Sequence, residues 1–232
     1  MTQGTYQQFC PLAMASELLC TRWTLVLLRE LIAGTTRFND LRRGLPRMSP
    51  ALLSKRLKEL EAAGLITRTS RKGETRLYDY ELTRAGADLK GVVEAIGLWG
   101  HRWIETKTSL QNLDVDLLMW DMRRNLKPEP LPPGRTTVQF IFTDLPRTRK
   151  NWWFLIDPES GTDLCSLDPG FDVDLYVSTD LRTMTEVYMG YVPLSRAKAE
   201  GKLVVTGDRR LEAGMSKWFG LSTFAHVKRK VA

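Results

Sequence analysis

Cysteine and histidine are scarce in this 232-residue sequence: Cys10, Cys20 and Cys165 are the only thiols, and His101 and His226 the only imidazoles. No CxxC pair occurs and three thiols cannot all pair, so neither a disulfide framework nor a Cys/His zinc site is expected. Free thiols in a reducing compartment are the default. No apolar run approaches the ~20 residues that span a bilayer. Met1–Tyr6 lacks the basic flank and apolar core of a secretory signal. These absences point to a cytoplasmic protein with no membrane partner. A Gly-rich phosphate loop and a strained serine turn are missing as well, so no cofactor and no enzymatic activity is expected.

What is present suffices for two domains, since 43% of the residues are hydrophobic and the length exceeds that of a typical single domain. The net charge of +7 is unevenly placed. Residues 1–108 hold 17 basic and 11 acidic side chains, whereas residues 109–232 hold 17 and 16. Within residues 37–84 the count is 12 to 6, which accounts for the whole excess of the first half. A local basic excess suits a polyanion, because Lys and Arg displace counterions from phosphates. A solvated basic surface is the plainer alternative.

The pattern of the first half narrows that choice. Trp23, Leu27, Leu28, Leu31 and Ile32 share one face of a helix that ends near Gly34. A short segment, residues 38–43, turns Phe38, Leu41 and Leu45 inward and its charges outward. Ser49 is an N-cap candidate with Pro50 at the first helical position. From there to Ala63, Leu53, Leu57 and Leu60 form an apolar spine, with Ala51, Lys55 and Lys58 opposite and Ser54 on the flank. Short and cationic side chains suit insertion into a major groove. Two strands follow, Leu65–Ser70 and Leu77–Leu82, around a polar tip at residues 71–76. The specificity lies in the order: helix, short helix, capped basic helix, basic hairpin.

The second half begins after a polar stretch, Thr106–Leu113. A helix is expected over Asp114–Leu126, then a proline-rich linker, Lys127–Gly134. Strands are expected at Thr136–Thr143, Trp152–Ile156 and Asp172–Ser178. Two helices, Asp180–Met189 and Leu194–Glu200, a strand Leu203–Thr206 and a helix Arg209–Trp218 complete an α+β domain with its sheet covered on one side. Asp172 and Asp174 would point to one face, as an acid/base pair might, or simply as the solvent side of a sheet.

Cys10-Pro11, Arg22-Trp23-Thr24-Leu25, Arg37-Phe38-Asn39-Asp40-Leu41, Met48-Ser49-Pro50, Arg56-Leu57-Lys58-Glu59-Leu60, Gly64-Leu65-Ile66 and Tyr80-Glu81-Leu82-Thr83 stand in the order and spacing of one family. Residues 9–105 resemble the HxlR winged helix-turn-helix regulators. One departure is Leu19-Cys20-Thr21, where the family usually has a glycine-containing turn. The resemblance implies a homodimer on an inverted repeat near a promoter; repression is the expected mode of action. Ala85, Leu89, Val92, Ile96, Trp99 and Trp103 recur in steps of four and three, as in a dimer seam. Packing against the domain's own core would give the same spacing, and the family's use of this helix at its interface favours the seam. Cys10 stands where some members carry a sensing thiol.

Trp152-Trp153-Phe154-Leu155-Ile156-Asp157, Asp172-Val173-Asp174-Leu175, Asp180-Leu181-Arg182-Thr183-Met184 and Gly201-Lys202-Leu203 resemble a sterol-carrier-protein-like domain over residues 112–225. That resemblance implies a tunnel for an apolar small molecule between sheet and helices. Phe140, Phe142, Trp153, Leu155, Val173, Leu175 and Val177 are its candidate lining, although buried aromatics also simply fill cores.

The expectation is an α+β chain with residues 1–108 as the winged-helix domain and residues 109–232 as the sterol-carrier-like one. Its partners are double-stranded DNA, a second copy and a candidate apolar ligand. DNA contact is assigned to Arg37, Asn39, Arg42, Arg43, Ser49, Pro50, Ala51, Ser54, Lys55 and Lys58, and to Arg71, Lys72 and Arg76 in the hairpin. The dimer seam takes Leu89, Val92, Ile96, Trp99 and Trp103. The rival reading is a carrier of apolar molecules for which DNA contact is incidental.

Overall fold

The computed structural model describes residues 5–70 and 77–231. They divide into two compact units, Met1–Gly97 and Leu98–Ala232. The division falls inside a helix, earlier than residue 108.

The first unit opens with α1 (Pro11–Leu19) and α2 (Thr24–Ile32). Between them Trp23 takes the left-handed region at φ 81, a conformation that suits glycine far better than a bulky side chain. The positive φ between the two helices is thus carried by an indole. Next come α3 (Phe38–Gly44), α4 (Pro50–Ala62) and a two-stranded ribbon, β1 (Ile66–Ser70) and β2 (Tyr78–Leu82). The ribbon is antiparallel, with Ile66 opposite Leu82 and Ser70 opposite Tyr78. A single bridge from Arg37 to Asp79 adds a third edge.

Eleven buried side chains form this unit's core, among them Leu27, Leu28, Leu41, Leu53, Leu57 and Leu60. The one charge inside it is Glu30, which has no accessible surface. Arg29 donates to it from Nε and Nη2 at 3.2 and 2.7 Å and also reaches the Gly44 carbonyl at 3.1 Å. A Cβ on Gly44 would lie 2.0 Å from the Glu30 carboxylate. The pair thus ties α2 to the end of α3, and only glycine fits where they meet.

The helix expected to run from Ala85 to Trp103 is two. Thr83 caps α5 (Arg84–Asp88), its hydroxyl accepting from Gly86 N at 3.1 Å. Gly86 packs so close to β1 that a Cβ would sit 2.0 Å from the Leu65 carbonyl oxygen. After Leu89 the chain starts again as α6 (Lys90–Trp103).

The second unit contains the end of α6, a helical turn α7 (Thr106–Ser109) inside the expected polar stretch, and α8 (Val115–Asn125). Asp114 caps α8 by accepting from Asp116 N and Leu117 N, at 3.1 and 3.2 Å. The strands are β3 (Thr136–Phe142), β4 (Asn151–Asp157), β5 (Gly161–Cys165), β6 (Leu175–Thr179) and β7 (Leu203–Gly207). They lie in the order β5-β4-β3-β6-β7. Only the β3–β6 pair is parallel. Helices α9 (Leu181–Tyr188), α10 (Leu194–Ala199), α11 (Arg209–Ala213) and α12 (Met215–Trp218) complete the unit. Val138, Phe140, Phe142, Phe154, Ile156, Leu175 and Val177 meet α8, α9, α11 and α12 in one core of 25 buried residues.

A C-terminal strap closes this unit on the last turn of α6. His101 Nε2 lies 3.2 Å from Val227 O, and Lys230 N donates to Arg102 O at 2.9 Å. Arg229 donates to His101 O at 3.1 Å and Ile104 O at 2.6 Å. Carbonyls that a helix end leaves unpaired find partners more than a hundred residues away.

Candidate nucleic-acid interface

Ser49 starts α4 with its Oγ accepting from Leu52 N at 3.3 Å. This satisfies one of the free N–H groups of the first turn and leaves the hydroxyl proton available outside. Leu53, Leu57 and Leu60 are buried against the core, so the helix turns a fixed face outward. Ser49, Pro50, Ala51, Lys55 and Lys58 are exposed there and Ser54 is half-buried. Ala51, Ser54, Lys55, Lys58, Glu59 and Ala62 line a shallow, open depression along that face. Arg37, Asn39, Arg42 and Arg43 are exposed on and before α3, with Arg43 3.6 Å from Asp40. Arg71, Lys72 and Arg76, assigned to the hairpin tip, lie outside the described residues.

Sequence reasoning passed over Arg56. Its Nε donates to the Arg22 carbonyl at 3.1 Å, and its Nη1 bonds Glu59. It braces α4 to the turn before α2 instead of facing outward. Its place in the basic run gave no sign of this, because the partner lies 34 residues away.

On α6 the candidate seam divides. Leu89 lies before the helix, half-buried against the first unit's core. Val92, Ile96, Trp99 and Trp103 are 44%, 48%, 61% and 50% exposed. Packing within the chain accounts for Leu89 and not for the other four. Cys10 is exposed at the N-cap of α1, Cys20 is exposed, and Cys165 is half-buried.

The candidate ligand lining does not form one wall. Phe140, Phe142, Leu175 and Val177 have no accessible surface, so no void of even water size adjoins them. Phe140 instead meets Phe154 edge to face at 5.4 Å. Trp153 and Leu155 alternate with the core-facing Phe154 and Ile156 and so lie on the other side of the sheet. Val173 precedes β6. Asp172 and Asp174 precede it as well, and Asp174 Oδ2 is occupied, accepting from Thr137 N at 2.8 Å. Tyr188, the most deeply buried phenol of the unit, donates to Asp121 at 2.7 Å. Burial first and the Asp121 charge second push its pKa well above the ordinary phenol value, so it stays a neutral donor. Among the described residues no cluster of three His, Cys, Asp or Glu side chains could hold a metal. No single described helix is long and apolar enough to cross a membrane.

A short helix, a capped helix with an apolar back and a basic front, and a two-stranded ribbon in that order make a winged helix-turn-helix. Residues 18–108 match the HxlR-like helix-turn-helix family. The HTH-type transcriptional regulator YvaP of Bacillus subtilis (strain 168) is 32% identical over 99 residues, which are 42% of this chain and 92% of that protein. The regulator Rv3095 of Mycobacterium tuberculosis (strain ATCC 25618 / H37Rv) is 38% identical over 92 residues, 39% of this chain and 56% of its own length. The reduced form of the transcriptional regulator YodB from B. subtilis aligns at 30% identity and a TM-score of 0.36, covering 42% of this chain and 97% of that one. The chain belongs to the HxlR family and is a transcriptional regulator of that helix-turn-helix type. The family match ends at residue 108, and the second unit is described by its own geometry alone.

Proposed function

We propose that the chain represses transcription as a homodimer that places α4 in successive major grooves of an inverted-repeat operator. The observation that carries this reading is the outer face of α4. Its back is locked by three buried leucines, its start is capped, and Ala51, Lys55 and Lys58 are exposed at the front. Small side chains let the helix approach the base edges, and the lysines can donate to guanine O6 and N7. Arg37, Arg42 and Arg43 supply phosphate contacts that fix register without reading sequence. Arg71, Lys72 and Arg76 have the chemistry to do the same from the hairpin.

The exposed stripe on α6 supports the dimer. Four large apolar side chains at helical spacing lose their water when a second copy covers them. A two-fold axis there must hold the two α4 helices about one DNA turn apart, ~34 Å. Trp99→Glu is expected to give monomers in sedimentation and to abolish operator binding at concentrations where the wild type binds. For the second unit the filled core favours support of the dimer over an apolar-ligand tunnel. Cys10, exposed on the first helix, is open to oxidants, and diamide-treated protein that binds DNA unchanged would remove it from regulation.

Gel-shift titrations against the DNA flanking the protein's own coding sequence test the whole reading. Specific binding should weaken steeply as salt rises, by about 0.9 log units per log unit of salt for each phosphate contact. Lys55→Ala should lower affinity and change the preferred sequence. Unchanged affinity and preference would exclude α4 as the reading helix.

A further inference from the structure

Among the six residues that line the depression on α4, one is acidic. Glu59 sits among Ala51, Ser54, Lys55, Lys58 and Ala62, on a surface otherwise built for a polyanion. It is not free to swing away. Arg56 binds its Oε2 from behind and is itself bonded to the Arg22 carbonyl at 3.1 Å. The other oxygen, Oε1, stands 3.9 Å from Lys55 Nζ. An anchored carboxylate therefore faces outward beside the lysine assigned to base contact.

Resting on the reading of α4 as the DNA-reading helix, we infer that Glu59 is a specificity-determining residue whose acceptor oxygen takes the exocyclic amine of a cytosine. In the major groove, cytosine N4 is the amine of a G·C pair, and a carboxylate is its natural acceptor. Lys55 lies one turn earlier on the same face, suited to guanine O6 and N7. On a sequence that offers no such amine, the carboxylate is a negative charge held near phosphates with Arg56 alone to offset it. Lys55 must then also leave its partner to reach the DNA. Glu59 therefore weakens binding to duplexes in general and weakens it least on the site that supplies the amine. The margin between operator and random DNA, which decides function in a genome, widens accordingly.

Glu59→Gln tests this with little change of shape, because the amide oxygen can still accept from Arg56. Two probes are needed: a pool of random 30-base-pair duplexes, and the duplex enriched from that pool by repeated selection on the wild-type protein. The variant should bind the random pool roughly two- to fivefold more tightly. Its salt slope on that pool should steepen by about one unit, as Lys55 becomes free for a phosphate. Affinity for the selected duplex should rise less or fall, so that the ratio between the two shrinks. Glu61→Gln is the control, since Glu61 lies on α4 outside the depression and 3.7 Å from Arg68. It should leave the ratio as it is. Equal gains by Glu59→Gln on both probes, no gain on either, or an equal loss of ratio in Glu61→Gln would overturn the assignment. A wild-type protein that binds neither probe would overturn the DNA-binding reading itself.

Discussion

The two units hold themselves together by different means. The core cluster of the first holds eleven side chains, almost all leucine, beside the buried charge of Glu30, whose carboxylate is held by Arg29. That of the second holds twenty-five, including Phe140, Phe142, Phe154 and Trp218, around a five-stranded sheet. An aliphatic core this small leaves much of the relative orientation of its helices to polar ties. A large aromatic core sets more of that orientation by shape. The contrast also separates what each unit shows to solvent. The first unit's candidate DNA-facing residues, on α3 and α4, point outward, whereas most of the aromatic residues of the second unit's sheet are inside.

That contrast can be broken most forcefully in the second unit. Phe140→Ala removes a ring with no accessible surface and should cost about 3–5 kcal/mol in urea unfolding. A loss under about 1 kcal/mol would mean that the core yields and is less shape-determined than its packing indicates. In the first unit Glu30→Ala is expected to cost about 2–3 kcal/mol, because Arg29 and Thr35 lose a buried partner. Gly44→Ala should destabilise in the same direction, since its Cβ would displace that carboxylate. If either variant unfolds at the wild-type midpoint, the polar tie does not orient α3.

Ser49→Ala sharpens the comparison at the functional face. Loss of the cap should lower stability by about 1 kcal/mol and weaken DNA binding beyond that, because the first turn of α4 frays. The smallest effect concerns His101. Burial, with Arg229 and His226 adding repulsion, holds its imidazole below the usual pKa, against the pull of the Val227 hydrogen bond. Its Nδ1 has no hydrogen-bond partner among the described residues. The unfolded chain therefore binds the proton more readily than the folded one. This contribution to stability is complete above the ordinary imidazole pKa, near 6.5, and is lost as pH falls from there towards the lowered folded value. Urea midpoints of the wild type and of His101→Phe, compared at about pH 7.5 and about pH 5.5, should show a steeper acid loss in the wild type. Parallel losses would assign the acid sensitivity elsewhere.

The same contrast explains which parts could be read in advance. Local signals sufficed in the first unit. The Ser49 cap, Pro50 and the leucine spine place α4 within a residue or two, and the β-branched and aromatic residues place β1 and β2. What failed there was set by tertiary approach: α5 and α6 separate because Thr83 caps a new helix and Gly86 must touch the Leu65 carbonyl. In the second unit β5 escaped notice because Gly161, Asp163 and Cys165 carry little strand preference. It exists as an edge paired to β4. β6 begins at Leu175 and not at Asp172, and just before it the Asp174 carboxylate takes up the Thr137 N–H. The last helix breaks at Gly214, which joins α11 to α12. At the candidate interface Lys55 and Lys58 were legible from helical spacing. The Arg56 brace and the fixed Glu59 were not, since both depend on the backbone around Arg22.

The strap over α6 also imposes an order of events during synthesis. Arg229 follows His101 by 128 residues, and ribosomes add roughly 5–20 residues per second. The last turn of α6 therefore waits on the order of 6 to 25 s for the groups that close it. During that interval the winged helix has already emerged and the helix bearing Trp99 and Trp103 ends in open carbonyls. If the proposed homodimer forms on α6, a copy that pairs during translation meets an unfinished helix end and one that pairs after release meets a closed one. The timing of that closure is written into the distance along the chain between a helix and its cap.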